Sequence, residues 1–144
     1  MVSVKRVALA VLIIAVLVGG YVFLGPSGSA EASLDKNAPI QLKLNRESYS
    51  PTDTMTLTVV NNGNETVTVG YPFELYREEN GKWVKVKLDI MFIQSAVQLE
   101  PGKSWGQKID LTKLRLSPGH YKIVKSISTR DRTLSVSVEF YIKE

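Results

Sequence analysis

From Ile40 to Ile142 apolar and polar residues alternate with a period of two, and this constrains the fold more than any other feature of the chain. A helix would bury residues at a period of about 3.6, whereas a strand with one face on a core buries every second residue. Ile40, Leu42 and Leu44 alternate with Gln41 and Lys43, and Met55, Leu57 and Val59 with Thr54, Thr56 and Thr58. Val67 and Val69 face inward on the next strand, and Phe73 to Arg77 continue the pattern. Val84, Val86 and Leu88 then share one face, with Trp83, Lys85 and Lys87 on the other. Ile90-Met91-Phe92-Ile93 is continuously apolar, so periodicity leaves its orientation open. Ile109 and Leu111 mark a further strand. Tyr121, Ile123, Lys125 and Ile127 share a face, and Leu134, Val136, Val138, Phe140 and Ile142 complete the last strand.

Turn chemistry separates these runs. Asn61-Asn62-Gly63-Asn64 and Asn80-Gly81 read as tight hairpins, because Asn and Gly accept the positive φ such turns require. Pro101-Gly102 and Thr129 to Arg132 supply two more turns. In Leu116-Ser117-Pro118-Gly119-His120-Tyr121, Pro118 presets φ and Gly119 can take a positive one. Tyr121 then stands where immunoglobulin-type sandwiches place a tyrosine corner, its hydroxyl bonded to backbone a few residues upstream. About eight or nine short strands with turns every ten or so residues predict an all-β fold, an antiparallel Ig-like β-sandwich over residues 40–144. One N-terminal transmembrane helix is expected to precede it.

That helix is the second strong signal. Residues 1–6 end in Lys5-Arg6, and Val7 to Leu24 carry no charge, about 27 Å of helix and close to the thickness of a bilayer core. The basic flank predicts a cytoplasmic n-region at 1–6, a membrane span or signal anchor at 7–25, and an extracytoplasmic domain on one side of a cell membrane. Residues 26–39, rich in Gly, Ser and Ala, read as a flexible linker. Cleavage near Ala30 or Ala32 would instead give a secreted protein.

Composition removes several classes of chemistry. The absence of cysteine excludes disulfides and thiolate metal sites, and a single histidine, His120, excludes a multi-histidine centre. The net charge is +4, but without Lys5 and Arg6 sixteen basic residues face fourteen acidic ones, interspersed, which predicts no nucleic-acid partner. His120 lacks a Gly-x-Ser-x-Gly elbow and reads as an exposed turn residue; Glu78-Glu79 read as a solvated loop. No catalytic, cofactor or metal residues are expected, and the chain is not read as an enzyme. Asn64-Glu65-Thr66 is a glycosylation sequon on a predicted loop, making Asn64 a candidate modification site. Trp83, Lys85 and Lys87 form a candidate interaction patch, unless lysine stems merely cover the indole and guard a sheet edge.

Five stretches in order carry a resemblance: Leu57–Asn62, Phe73–Tyr76, Asn80–Val84, Leu99–Ser104 and Leu116–Lys125. Together, over about residues 40–128, they are similar to a bacterial Ig-like domain family of secreted and membrane-anchored proteins. The resemblance implies a surface β-sandwich and brings no catalytic residues. The asparagine-rich turn and the Pro-Gly-x-Tyr corner are also loosely similar to an intracellular proteinase inhibitor family of bacilli. The expected role is a non-catalytic protein-binding, accessory-subunit or adhesive one. Its partners would be the bilayer, through residues 7–25, and another envelope protein. A pilin-like filament subunit and a protease-inhibitor-like protein are the alternatives.

Overall fold

The computed structural model describes residues 39–144 together with Tyr21 and Val22. The expected span at 7–25 and its linker otherwise lie outside the described residues. Tyr21 and Val22 depart from the helical expectation. They form a two-residue strand, β1, paired antiparallel with Ser137 and Val136, where the edge of the last strand offers unpaired backbone groups.

The remaining strands are β2 (Ile40–Leu44), β3 (Ser48–Tyr49), β4 (Thr54–Asn61), β5 (Val67–Gly70), β6 (Glu74–Glu79), β7 (Lys82–Lys85), β8 (Ala96–Leu99), β9 (Ser104–Asp110), β10 (Gly119–Ser128) and β11 (Thr133–Ile142). β2, β4 and β9 make a three-stranded antiparallel sheet, and the other eight strands form the second sheet. Ten strands thus follow residue 39 where eight or nine were expected, the addition including β3, hidden in the Asn45–Asp53 connection. The sheet is also not wholly antiparallel, since β3 runs parallel to β11. It is held there by Tyr49, which is fully buried against Phe140 and donates its hydroxyl hydrogen to Asn45 Oδ1 at 2.7 Å.

The core lies between the sheets and takes the residues that periodicity assigns to it. Ile40, Leu42, Met55, Leu57 and Val59 come from one sheet; Val69, Leu75, Ile123, Ile127, Val136, Val138 and Phe140 come from the other. Ile90 and Phe92 pack inward against this core while Met91 is 97% exposed, which resolves the continuous apolar run. Val84 is a departure from the expected inward face, being 44% exposed on β7, which pairs with β6 at the margin of the sheet.

Asn61–Asn64 is not a hairpin. β4 and β5 belong to different sheets, and residues 62–66 cross between them. Buried Asn61 organises the crossing. Its Nδ2 donates to Glu65 O (3.0 Å) and Leu99 O (2.9 Å), and its Oδ1 accepts from Gly63 N (2.9 Å). A side chain that meets its own polar needs this way can stay inside, so the asparagine serves as a structural tie and not as part of a hairpin.

β5 and β6 lie end to end along one edge of β10, pairing with Ile127–Ser128 and Tyr121–Val124 respectively. The jog between them contains Pro72, which has no N–H, and leaves the carbonyls of residues 70–72 outside the ladder. Lys125, on β10 opposite the jog and 1% exposed, supplies the missing donors. Its ammonium reaches Gly70 O (2.7 Å), Tyr71 O (3.2 Å), Pro72 O (3.0 Å) and Gln107 Oε1 (2.8 Å). Burial pushes its pKa down to about 8, so it remains mostly charged at neutral pH. The lysine is a cross-brace, since Gln107 comes from the opposite sheet.

Candidate interaction face

Tyr121 forms the corner. Its hydroxyl donates to Ser117 O, four residues upstream, at 2.6 Å. Arg77 of β6 closes over the same turn, donating from Nη1 to Tyr121 Oη (2.6 Å) and Ser117 Oγ (2.9 Å), and from Nη2 to Pro118 O (2.9 Å). Gly119 leaves room for that guanidinium: a Cβ at this position would lie 2.7 Å from Arg77 Nη1, and the arginine would have to shift. The corner fixes the start of β10, and thereby everything on its outward side.

Because Tyr121 points into the core, His120 must point out. The hairpin register pairs His120 with Tyr141, and the turn at Asn80-Gly81, both residues at positive φ, pairs Glu78 with Trp83. The β6–β10 pairing brings these two ladders side by side, so Trp83, Glu78, His120 and Tyr141 form one row across four strands. His120 is not an exposed turn residue. Its Nδ1 lies 2.8 Å from Glu78 Oε1 and its Nε2 2.8 Å from Glu139 Oε1. Its ring stacks on Tyr141 at 4.4 Å and meets Trp83 edge-on at 5.0 Å. Glu78 is correspondingly no free loop acid.

Two carboxylates can both accept from one imidazole only when both ring nitrogens carry protons. Burial works against the charge, but the hydrogen bonds and charges of Glu139 and Glu78 outweigh it, and the pKa of His120 is raised above its ordinary value. In the next row Lys122 places its ammonium 4.7 Å from the Trp83 ring centre and 5.4 Å from that of Tyr76. Burial and the Glu74 carboxylate, which accepts from Tyr76 at 2.8 Å, push the Tyr76 hydroxyl up to about 12.

Of the sequence-predicted trio, Trp83 and Lys85 share the outward face of β7 in adjacent rows, and Lys87 follows beyond the strand. Trp83 sits in the histidine row, covered by Lys122; Lys85 lies one row down and pairs with Glu74 at 3.2 Å; Lys87 falls beyond the end of β7. A groove of about 410 Å³ opens beside Lys85 and Lys87, floored by Phe73, Val86, Leu88 and Phe92. Asn64 is exposed, at the opposite end of the sandwich. That end also holds Pro39, whose carbonyl accepts from Asn62 N at 2.7 Å. The histidine row therefore lies at the other end of the sandwich from Pro39.

A family model described as a bacterial Ig-like domain matches residues 36–141. The chain belongs to this family. No curated protein matches this bacterial Ig-like domain at a significant level. Among solved structures it is similar to Northeast Structural Genomics Consortium target SoR45, with 15% identity, a TM-score of 0.44, and coverage of 74% of this chain and 84% of that one. A β-glucosidase, EmGH1, from Erythrobacter marinus gives 17% identity and a TM-score of 0.38, covering 71% of this chain and 15% of that one. A β-glucosidase from Listeria innocua gives 17% and 0.37, covering 77% and 17%. This bacterial Ig-like domain thus spans under a fifth of either glucosidase, and likeness at these scores carries no argument about activity.

Proposed function

We propose that this bacterial Ig-like domain is a non-catalytic protein-binding module, held outside a membrane by the apolar segment ahead of β1, that meets its partner through the outward face of β6, β7, β10 and β11. The observation that carries the reading is the Trp83–Glu78–His120–Tyr141 row. It combines half-buried aromatics, an exposed Tyr141 and charges already oriented by one another. Aromatic anchors in such a setting supply most of the binding energy in protein interfaces. The row stands at the end of the sandwich away from Pro39. The opposite sheet presents Thr56, Thr58 and Lys108, with no comparable aromatic cluster among the described residues.

The test is purification of the full-length, C-terminally tagged chain from its native membranes in mild detergent, with intact mass and identification of co-purifying proteins. A stoichiometric envelope partner is expected, lost at least tenfold with Tyr141→Ala and kept with Lys108→Ala. Equal retention by both variants refutes the proposed face. Recovery as a fibre of its own copies, or with a protease, would replace the reading with a filament subunit or an inhibitor.

A further inference from the structure

The arrangement around His120 goes beyond a static anchor, because its geometry requires a particular protonation state. Glu78 reaches it from β6 and Glu139 from β11, each at 2.8 Å, and the two ring nitrogens point at different strands. The imidazolium is therefore the side-chain link between two strands that do not pair with each other, since β10 lies between them. The other groups around it are Trp83 from β7, Tyr141 from β11 and Lys122, two residues along β10, whose ammonium rests on Trp83. The charges of Glu139, Glu78 and Glu47 also act on the Tyr141 hydroxyl.

We propose that Glu78–His120–Glu139 is a proton-operated latch on the binding face: the doubly protonated imidazole clamps β6 to β11 and seats Trp83 and Tyr141, and loss of one proton releases them. The inference takes the face as the binding surface proposed above, but the latch itself is defined without any partner. Neutral imidazole has one donor and one acceptor nitrogen. One of the two glutamates then faces a lone pair instead of an N–H and must turn away. Because His120 lies between the Trp83 and Tyr141 rings, either movement alters the aromatic row. Partner affinity should accordingly be high at mildly acidic pH and fall as the imidazole loses its proton.

The experiment is an NMR pH titration of the full-length chain in detergent micelles, following the His120 ring nitrogens and the Trp83 indole and Tyr141 ring resonances. Two protonated ring nitrogens at pH 6.5 are expected, with a midpoint above that of free histidine. Trp83 and Tyr141 should shift with the same midpoint, and Glu78→Gln and Glu139→Gln should each lower it. A midpoint at or below the free value, or aromatic resonances that ignore it, overturns the latch. Partner capture at pH 6 and pH 8 completes the test. If the aromatic signals follow His120 while Tyr141→Ala leaves capture intact, the binding-face reading fails and the latch stands. If Tyr141→Ala abolishes capture but capture is equal at both pH values, the face stands and the latch is refuted as its regulator.

Discussion

Replacing Tyr121 with Phe isolates the hydrogen bonds of the corner. The ring keeps its place, stacked on Phe140 at 5.6 Å and nearly parallel to it, so no cavity forms and no apolar burial is lost. The hydroxyl makes two contacts of 2.6 Å, donating to Ser117 O and accepting from Arg77 Nη1. A neutral hydrogen bond contributes about 0.5–1.5 kcal/mol and one involving a charge about 1.5–3 kcal/mol. The sum overstates the loss, because the Arg77 side chain is 30% exposed and keeps Ser117 Oγ and Pro118 O as acceptors. Ser117 O, by contrast, loses its 2.6 Å bond and retains a 3.4 Å contact from Arg77 Nη1. The expected destabilisation is about 1–2.5 kcal/mol, read as a lower urea midpoint at unchanged m-value, with tryptophan fluorescence as the probe. A double-mutant cycle with Arg77→Ala should show a coupling of about 0.5–1.5 kcal/mol. A loss below about 0.5 kcal/mol at constant m, or zero coupling, would refute the claim that these bonds hold the corner.

Gly119→Ala should destabilise by about 1–2 kcal/mol by displacing the Arg77 guanidinium, and most of that loss should vanish in an Arg77→Ala background, as measured by denaturation. Lys125→Met takes a donor from three carbonyls in the Gly70–Pro72 jog, of which Tyr71 O keeps Gln107 Nε2 at 3.0 Å, and even after relief of the buried charge a loss of about 2–4 kcal/mol is expected at pH 7. Hydrogen exchange should show that jog opening in the variant. The raised pKa of His120 adds stability that is complete below its unfolded value near 6.5 and fades as pH rises through the folded value. Stability of the wild type should therefore decline more over that interval than that of His120→Gln, and parallel curves would contradict the assignment.

Both hairpins that build the aromatic row could be followed in the sequence. Asn80-Gly81 as a two-residue loop pairs Glu78 with Trp83, and closing a four-residue turn at Thr129–Arg132 pairs His120 with Tyr141. Parity from Tyr121 also sends His120 outward. What local pattern does not contain is the contact between the two hairpins. Arg77 meets Tyr121 across more than forty residues of chain, and without that register Glu78 has no reason to be near His120. Asn61–Asn64 misled for a related reason. Asparagine-rich turns favour hairpins locally, but the direction here is decided by Asn61 bonding to Leu99 O, a long-range partner. The same holds for Lys125, whose place on an inward face was visible, but whose ligands come from a proline jog and from the other sheet.

These buried and half-buried polar groups divide the domain into two ends with different tasks. At the Pro39 end, Asn61 ties the crossing loop to β8 and to the turn at Gly102, whose N–H donates to Asn61 O at 2.8 Å. The bonds of Asn61 all run to neutral backbone groups, so none of them depends on a titrating partner. At the far end several ties involve a charged group: Arg77 on the corner, His120 between two glutamates, Lys122 on Trp83. Charged ties of this kind contribute modestly when solvated, respond to salt and protons, and can be rearranged without unfolding the core. The function proposed above, a module that stays folded while engaging and releasing a partner, calls for that division. In this chain, the division follows the long axis of the sandwich.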